Sequence, residues 1–136
     1  MSDLNIKNAL VTAVVAANLG IPTNYENSPN WTTPTNEPWA RVQILNIDDE
    51  VLTFGSNGRN RREGLMRVTI FTPKGSGTNT LYNTTDSVRS VLKSGAELTH
   101  NGQCVRINSA ATRNGTDETT WFSRIIDVNF YTYETR

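Results

Sequence analysis

What most constrains this chain is what joins its strand-like segments. Turns and polar loops join most of them, and only two stretches carry helical periodicity. A parallel pair of strands needs a crossover of a dozen or more residues, usually a helix. Here the order is helix, two or three strands, helix, hairpin and a long terminal strand. That order argues against a doubly wound parallel sheet. It predicts an α+β fold, a mostly antiparallel sheet with two helices packed on one face. At 136 residues the chain matches one domain, and no internal repeat asks for a second.

The first helix is expected over residues 3–19. Ile6, Leu10, Val14 and Ala17, with Ala9 and Ala13, recur three or four residues apart and form one apolar stripe. Ser2 or Asp3 can cap it through a side-chain oxygen. Gly20 offers a left-handed stop, and Pro22 blocks continuation. The stretch is too short and too interrupted by Asn5, Lys7, Asn8, Thr12 and Asn18 to span a bilayer. It also lacks the layout of a signal peptide, which points to synthesis in the cytoplasm and no membrane partner. The second helix starts at Thr78 or Thr80, carries Leu81, Thr85, Val88, Val91 and Leu92 inward, and stops at Gly95.

A Pro-rich arm occupies residues 21–39. Pro22, Pro29, Pro34 and Pro38 each fix φ and remove a backbone donor, so no regular element runs through it. Tyr25, Trp31 and Trp39 lie in or beside it. Residues 40–47 alternate as a strand with one buried face. Asp48, Asp49 and Glu50 are expected to break it, with a short strand over 51–54 to follow. Residues 55–64 hold three glycines, three arginines and no apolar residue, which reads as a solvated loop or hairpin tip. Residues 65–72 form the clearest strand, with Met66, Val68 and Ile70 facing one way. Asn101-Gly102 suits a type I′ turn between arms at 96–100 and 103–107. Residues 108–118 read as another polar loop. The last strand covers 120–133, with Phe122, Ile126, Val128 and Phe130 on one face and Ile125, Tyr131 and Tyr133 on the other.

The chemistry of catalysis is sparse. A nucleophile activated by histidine needs the pair close together. The sole histidine, His100, sits beside a predicted tight turn, four positions from the sole cysteine, Cys104. One histidine and one cysteine cannot supply the usual zinc ligand sets, and a single cysteine forms no disulfide within the chain. Asp48, Asp49 and Glu50 match no calcium-loop spacing. Gly75-Ser76-Gly77 precedes a helix, but Lys74 stands before the glycines, where a phosphate-binding loop has its lysine after them. The expectation is a non-enzyme without cofactor or metal. Thirteen basic residues balance thirteen acidic ones, unlike a generic nucleic-acid binder, although charge can be local. The sharpest local signal is Arg59-Asn60-Arg61-Arg62. It reads as a solvated loop, as an intersubunit contact to carboxylates, or as a contact with nucleic acid, since arginine pairs in a bidentate way with either anion.

The order of features also carries a resemblance. It runs Tyr25-Glu26-Asn27, then Trp39-Ala40-Arg41-Val42, then a Gly/Arg loop closing on Arg62-Glu63-Gly64. Val68-Thr69-Ile70-Phe71-Thr72-Pro73-Lys74-Gly75-Ser76-Gly77-Thr78 and a late Phe130-Tyr131 strand follow. Across residues 1–133 this resembles the tail terminator-like proteins of long-tailed bacteriophages. The resemblance implies a virion structural subunit that forms a hexameric ring at the head-proximal end of the tail tube. Such a ring stops tube polymerisation and presents a surface for head joining. Implied partners are copies of itself, the tail tube protein, the head–tail connector protein and DNA passing through the lumen without specific binding. Tyr25, Trp31 and Trp39 are then plausible interface anchors, and Arg59, Arg61 and Arg62 face a neighbour or the lumen. A head–tail connector or neck protein is the alternative within the structural class. A nucleic-acid-binding module using residues 59–62 is the alternative outside it.

Overall fold

The longest strands set the architecture. In the computed structural model, which describes residues 3–26, 31–115 and 120–135, a 15-residue strand sits in the middle of the sheet. The elements are α1 (Asp3–Ala17), β1 (Thr23–Asn24), β2 (Trp39–Val51), β3 (Arg59–Pro73), α2 (Asn79–Val91), β4 (Glu97–His100), β5 (Gln103–Asn114) and β6 (Trp121–Thr135). They form one six-stranded sheet in the order β1-β2-β3-β6-β5-β4. The α+β class and single domain hold. The sheet is mixed, which corrects the mostly antiparallel expectation. β1 runs parallel to β2, while the other pairings are antiparallel. The arm explains this. Residues 25–38 are a long, proline-interrupted connection, and a connection of that length permits parallel pairing where a tight turn does not.

Residues of both helices and of one sheet face share a single buried cluster. α1 contributes Ile6, Leu10 and Val14, and α2 contributes Leu81 and Val88. The strands contribute Val42, Met66, Val68, Ile126, Val128 and Phe130. Register places these strand residues in rows, with Val42 opposite Val68 and Val68 opposite Ile126. α1 ends sooner than its apolar pattern suggests. Asn18, not Gly20, is the first left-handed residue after it (φ 51°), and its N–H bonds to the Val15 carbonyl at 3.1 Å. Asparagine takes this conformation more readily than most residues. No helix among the described residues is long and apolar enough to cross a membrane.

Two segments expected as loops are strand. Asp48, Asp49 and Glu50 do not break β2, and no separate strand covers 51–54. The segment 55–64 is a turn only as far as Gly58, and Arg59–Gly64 belongs to β3. The reason lies in register. Asp49 stands opposite Arg62 and Glu50 opposite Arg61, and opposite charges across a strand pair are mutually favourable. Likewise β5 continues to Asn114 alongside β6; residues 116–118 of the expected 108–118 loop lie outside the described residues.

Both strands that lose their outer partner carry a bulge. One interrupts β2 between Ile44 and Asn46, the other interrupts β5 between Ile107 and Ser109. They fall in one row across the sheet, because Asn46 pairs with Leu65, Leu65 with Asn129, and Asn129 with Ser109. Bulges bend the strands that hold them, so this row is a line of curvature. Next to it, Gly64 lies between Ile47 and Phe130. A Cβ there would collide with the Asn46 carbonyl and lie 2.8 Å from Phe130 Cζ. The missing side chain is what lets a buried phenylalanine and a bulged backbone share this point.

Gly64→Ala is therefore expected to destabilise the fold by about 1–3 kcal/mol, the usual range for overpacking. Adding Phe130→Leu should not recover the loss, because one obstacle is backbone. Thermal melts of the single and double variants check this; a Gly64→Ala protein as stable as wild type would refute the close approach.

Candidate assembly interface

Three surfaces gather the residues that the sequence singles out. The first is an aromatic cluster at the start of β2. Trp39 stacks on Phe71 at 4.2 Å between ring centroids and meets Trp121 edge-on at 6.0 Å. Trp31 comes in from the arm at 5.8 Å from Trp39, and its indole N–H donates to Thr33 Oγ1 at 3.1 Å. The Arg41 guanidinium lies 5.3 Å from the Phe71 centroid, within range for a cation–π contact. The strands build this because Trp39 is directly opposite Phe71, and Trp121 opposite Pro73. Trp39 is buried within its own chain and Trp31 partly covers it.

The second surface is the arginine segment, which does not form one cationic patch. A strand alternates its faces, so Arg59 and Arg61 share a face and Arg62 takes the other. Arg59 lies over Tyr133 at 5.6 Å and Arg61 over Tyr131 at 4.7 Å. Arg61 also approaches Glu63 at 3.5 Å. Arg62 turns toward α1, pairing with Asp3 and approaching Glu134 at 3.8 Å. Further along the face of Arg61, Asp127 holds Arg67 at 2.8 Å and Arg113 at 3.2 Å. The hydrogen bond that Arg67 donates to Asp127 raises the Arg67 pKa, so that guanidinium remains charged.

The third surface surrounds Tyr25. A groove of about 350 Å³ opens beside it, lined by Val14, Val15, Leu19, Ile21 and Pro22. Burial raises the Tyr25 pKa above its ordinary value of 10.0. The neighbouring Glu26 carboxylate accepts a hydrogen bond from the Ile44 N–H at 2.6 Å, which ties the arm to the edge of β2.

His100 and Cys104 are not brought together. His100 pairs with Gln103 and Thr99 with Cys104, so the two side chains leave opposite faces of the hairpin. The turn itself has the expected geometry, with Asn101 at φ 49° and Gly102 at φ 77°. Sequence reasoning passed over the apolar residues at the β2–β3 turn. Val51, Leu52 and Phe54 are all exposed, Phe54 at 95%. Their signal was an apolar run with no strand to bury it, set against a glycine.

These surfaces belong to a chain whose relationships are now clear. A family model described as phage tail terminator protein matches residues 5–130. The chain belongs to this family. As a member it is a phage virion structural protein, and the family is a structural one. Solved structures agree in fold. One shares 16% identity with a TM-score of 0.70, covering 98% of this chain and 96% of that one. Another, titled as the virion of a native gene transfer agent particle, shares 13% identity with a TM-score of 0.56, covering 97% and 96%. No curated protein sequence matches.

The raised Tyr25 pKa fixes a sign. The folded state disfavours the phenolate, so this contribution to stability is fully present below pH 10 and lost as pH rises through the folded pKa. Replacing Tyr25 by Phe should flatten the alkaline limb of a melting-temperature profile above about pH 10. Identical alkaline limbs for the two proteins would contradict this.

Proposed function

We propose that this protein closes the head-proximal end of a phage tail tube as a ring of six copies, stopping tube growth and offering the surface to which the head joins. The observation that carries this reading is the family match over residues 5–130. The surface chemistry is compatible with it. A ring requires heterologous contacts, in which different patches of one subunit meet and the rotation closes, and this chain has separate apolar and charged patches at different places. In this reading the tail tube protein and the head–tail connector protein are its partners on the two sides of the ring, and synthesis takes place in the host cytoplasm.

The six candidate interface residues take graded roles in the proposal. Tyr25, beside its groove, and Trp31, on the outside of the aromatic cluster, meet a neighbour directly. Trp39 supports Trp31 from beneath. Arg59 and Arg61 present a face on which tyrosines and carboxylates offset the guanidinium charge, and Arg62 fixes the start of α1. A lumen lined by such a mixed surface passes DNA without holding it, because sequence-independent affinity needs a net excess of cations facing phosphate.

Electron microscopy of the purified protein should reveal rings with a central opening, and tails purified without heads should carry the protein at one end. A chain that stays monomeric and joins neither rings nor tube ends would refute the reading. Its presence on heads but not on tails would favour a neck protein instead.

A further inference from the structure

Among the described residues, two apolar surfaces are left exposed, and the far end of the second, beside Tyr25, lies at the opposite end of β2 from the first. The first is the tip of the β2–β3 hairpin. Phe54 is 95% exposed, with Val51 and Leu52 exposed beside it. The turn holds this tip outward by its own hydrogen bonds. Leu52 N–H and Thr53 N–H both donate to the Arg59 carbonyl, at 3.0 and 3.2 Å, and Arg59 N–H donates to Thr53 Oγ1 at 2.6 Å. The ring of Phe54 is thus presented on a pinned loop, which keeps the entropy cost of docking it low.

The second surface is the outer side of α1. Leu4 and Val15 are 60% and 58% exposed, and Val11 between them is half-buried. They make a second, narrower apolar stripe, turned away from the one that Ile6, Leu10 and Val14 bury in the core. A helix apolar on both sides is one that both sides bury. The stripe runs into the groove of about 350 Å³ beside Tyr25, whose walls include Val14, Val15, Leu19, Ile21 and Pro22. The groove is large enough to admit an aromatic ring.

One chain cannot bring its own tip to its own groove. The groove lies beside the start of β2, since Thr23 pairs with Ala40, and the tip follows Val51. At about 3.3 Å per residue, roughly 35 Å of strand separates the two. A projecting aromatic at one end and, at the other, a hollow whose apolar walls adjoin Asn18 and Thr23 describe the two halves of a head-to-tail contact.

We infer that Phe54 of one copy inserts into the groove beside Val15 and Tyr25 of the next, and that this contact joins neighbouring subunits. The inference rests on the ring reading above and names its junction. The occupant is a second copy because this chain itself carries both the plug and a hollow with apolar walls to receive it. Burying one phenylalanine is worth roughly a ten- to hundredfold change in association constant.

The test uses two variants that each break one half. Phe54→Asp spoils the plug and keeps the groove; Val15→Glu spoils the groove and keeps the plug. Both positions are exposed, so circular dichroism and melting should match wild type. Sedimentation velocity should find that wild type assembles while each variant alone is monomeric. An equimolar mixture of the two should give one-to-one heterodimers that grow no further, because only one intact junction can form between them. If wild type assembles and either variant assembles equally well, or if the mixture stays monomeric, the contact is wrong and the ring reading survives. If wild type remains monomeric at every concentration reached, both fall.

Discussion

The rest of the structure depends on the pairing of β3. This strand is matched by β6 along its whole length and by β2 from Asn60 to Phe71. A strand bonded on both edges satisfies its peptide groups without water, and so holds residues that strand propensity disfavours. That is how Arg59-Asn60-Arg61-Arg62-Glu63-Gly64 becomes strand. Its arginines gain Tyr131 and Tyr133 from β6 and stand opposite Asp49 and Glu50 of β2. Its glycine gives Phe130 the room that a side chain would have taken. Everything on the two sheet faces takes its position from this register.

What could be read from the sequence was what local rules decide. α1 and α2 follow from apolar spacing, the β4–β5 hairpin from Asn101-Gly102, and the inner face of β6 from the alternation of Phe122, Ile126, Val128 and Phe130. What could not be read depends on partners far along the chain. Residues 48–50 and 59–64 are charged or lack a side chain, so alone they resemble loop. Only the mirror-like arrangement of an acidic run and a basic run about Gly55-Ser56-Asn57-Gly58 hints that they pair. Residues 108–114 are polar for the same kind of reason, being an edge strand beside β6. The candidate interface was legible as residue types and not as geometry. Arg62 shares a sequence cluster with Arg61 but faces α1, and Trp39 is covered by Trp31, which lies eight positions before it.

The sheet's two open edges bear on the proposed contact between copies of this chain. Among the described residues, nothing pairs with the outer side of β2 beyond Arg41 or with β5 beyond the reach of β4 and Ala96. Such edges invite strand addition, which natural sheets suppress with bulges and polar side chains. Both devices occur here. The bulges at Leu45 and Asn108 fall on the two open edges, the Glu26 carboxylate already occupies the Ile44 N–H, and residues 108–114 are mostly polar. Edge-to-edge growth of the sheet is therefore disfavoured at the height where both edges are exposed. The apolar surfaces lie elsewhere, on the hairpin tip and along the outside of α1. A subunit of the proposed ring must join copies in one register and avoid every other, and specificity of that kind comes as much from blocked contacts as from favourable ones. In the proposed ring, blunted edges and apolar ends are the combination that would steer self-contact away from an open sheet and toward a contact between unlike surfaces, the kind that a closed ring requires.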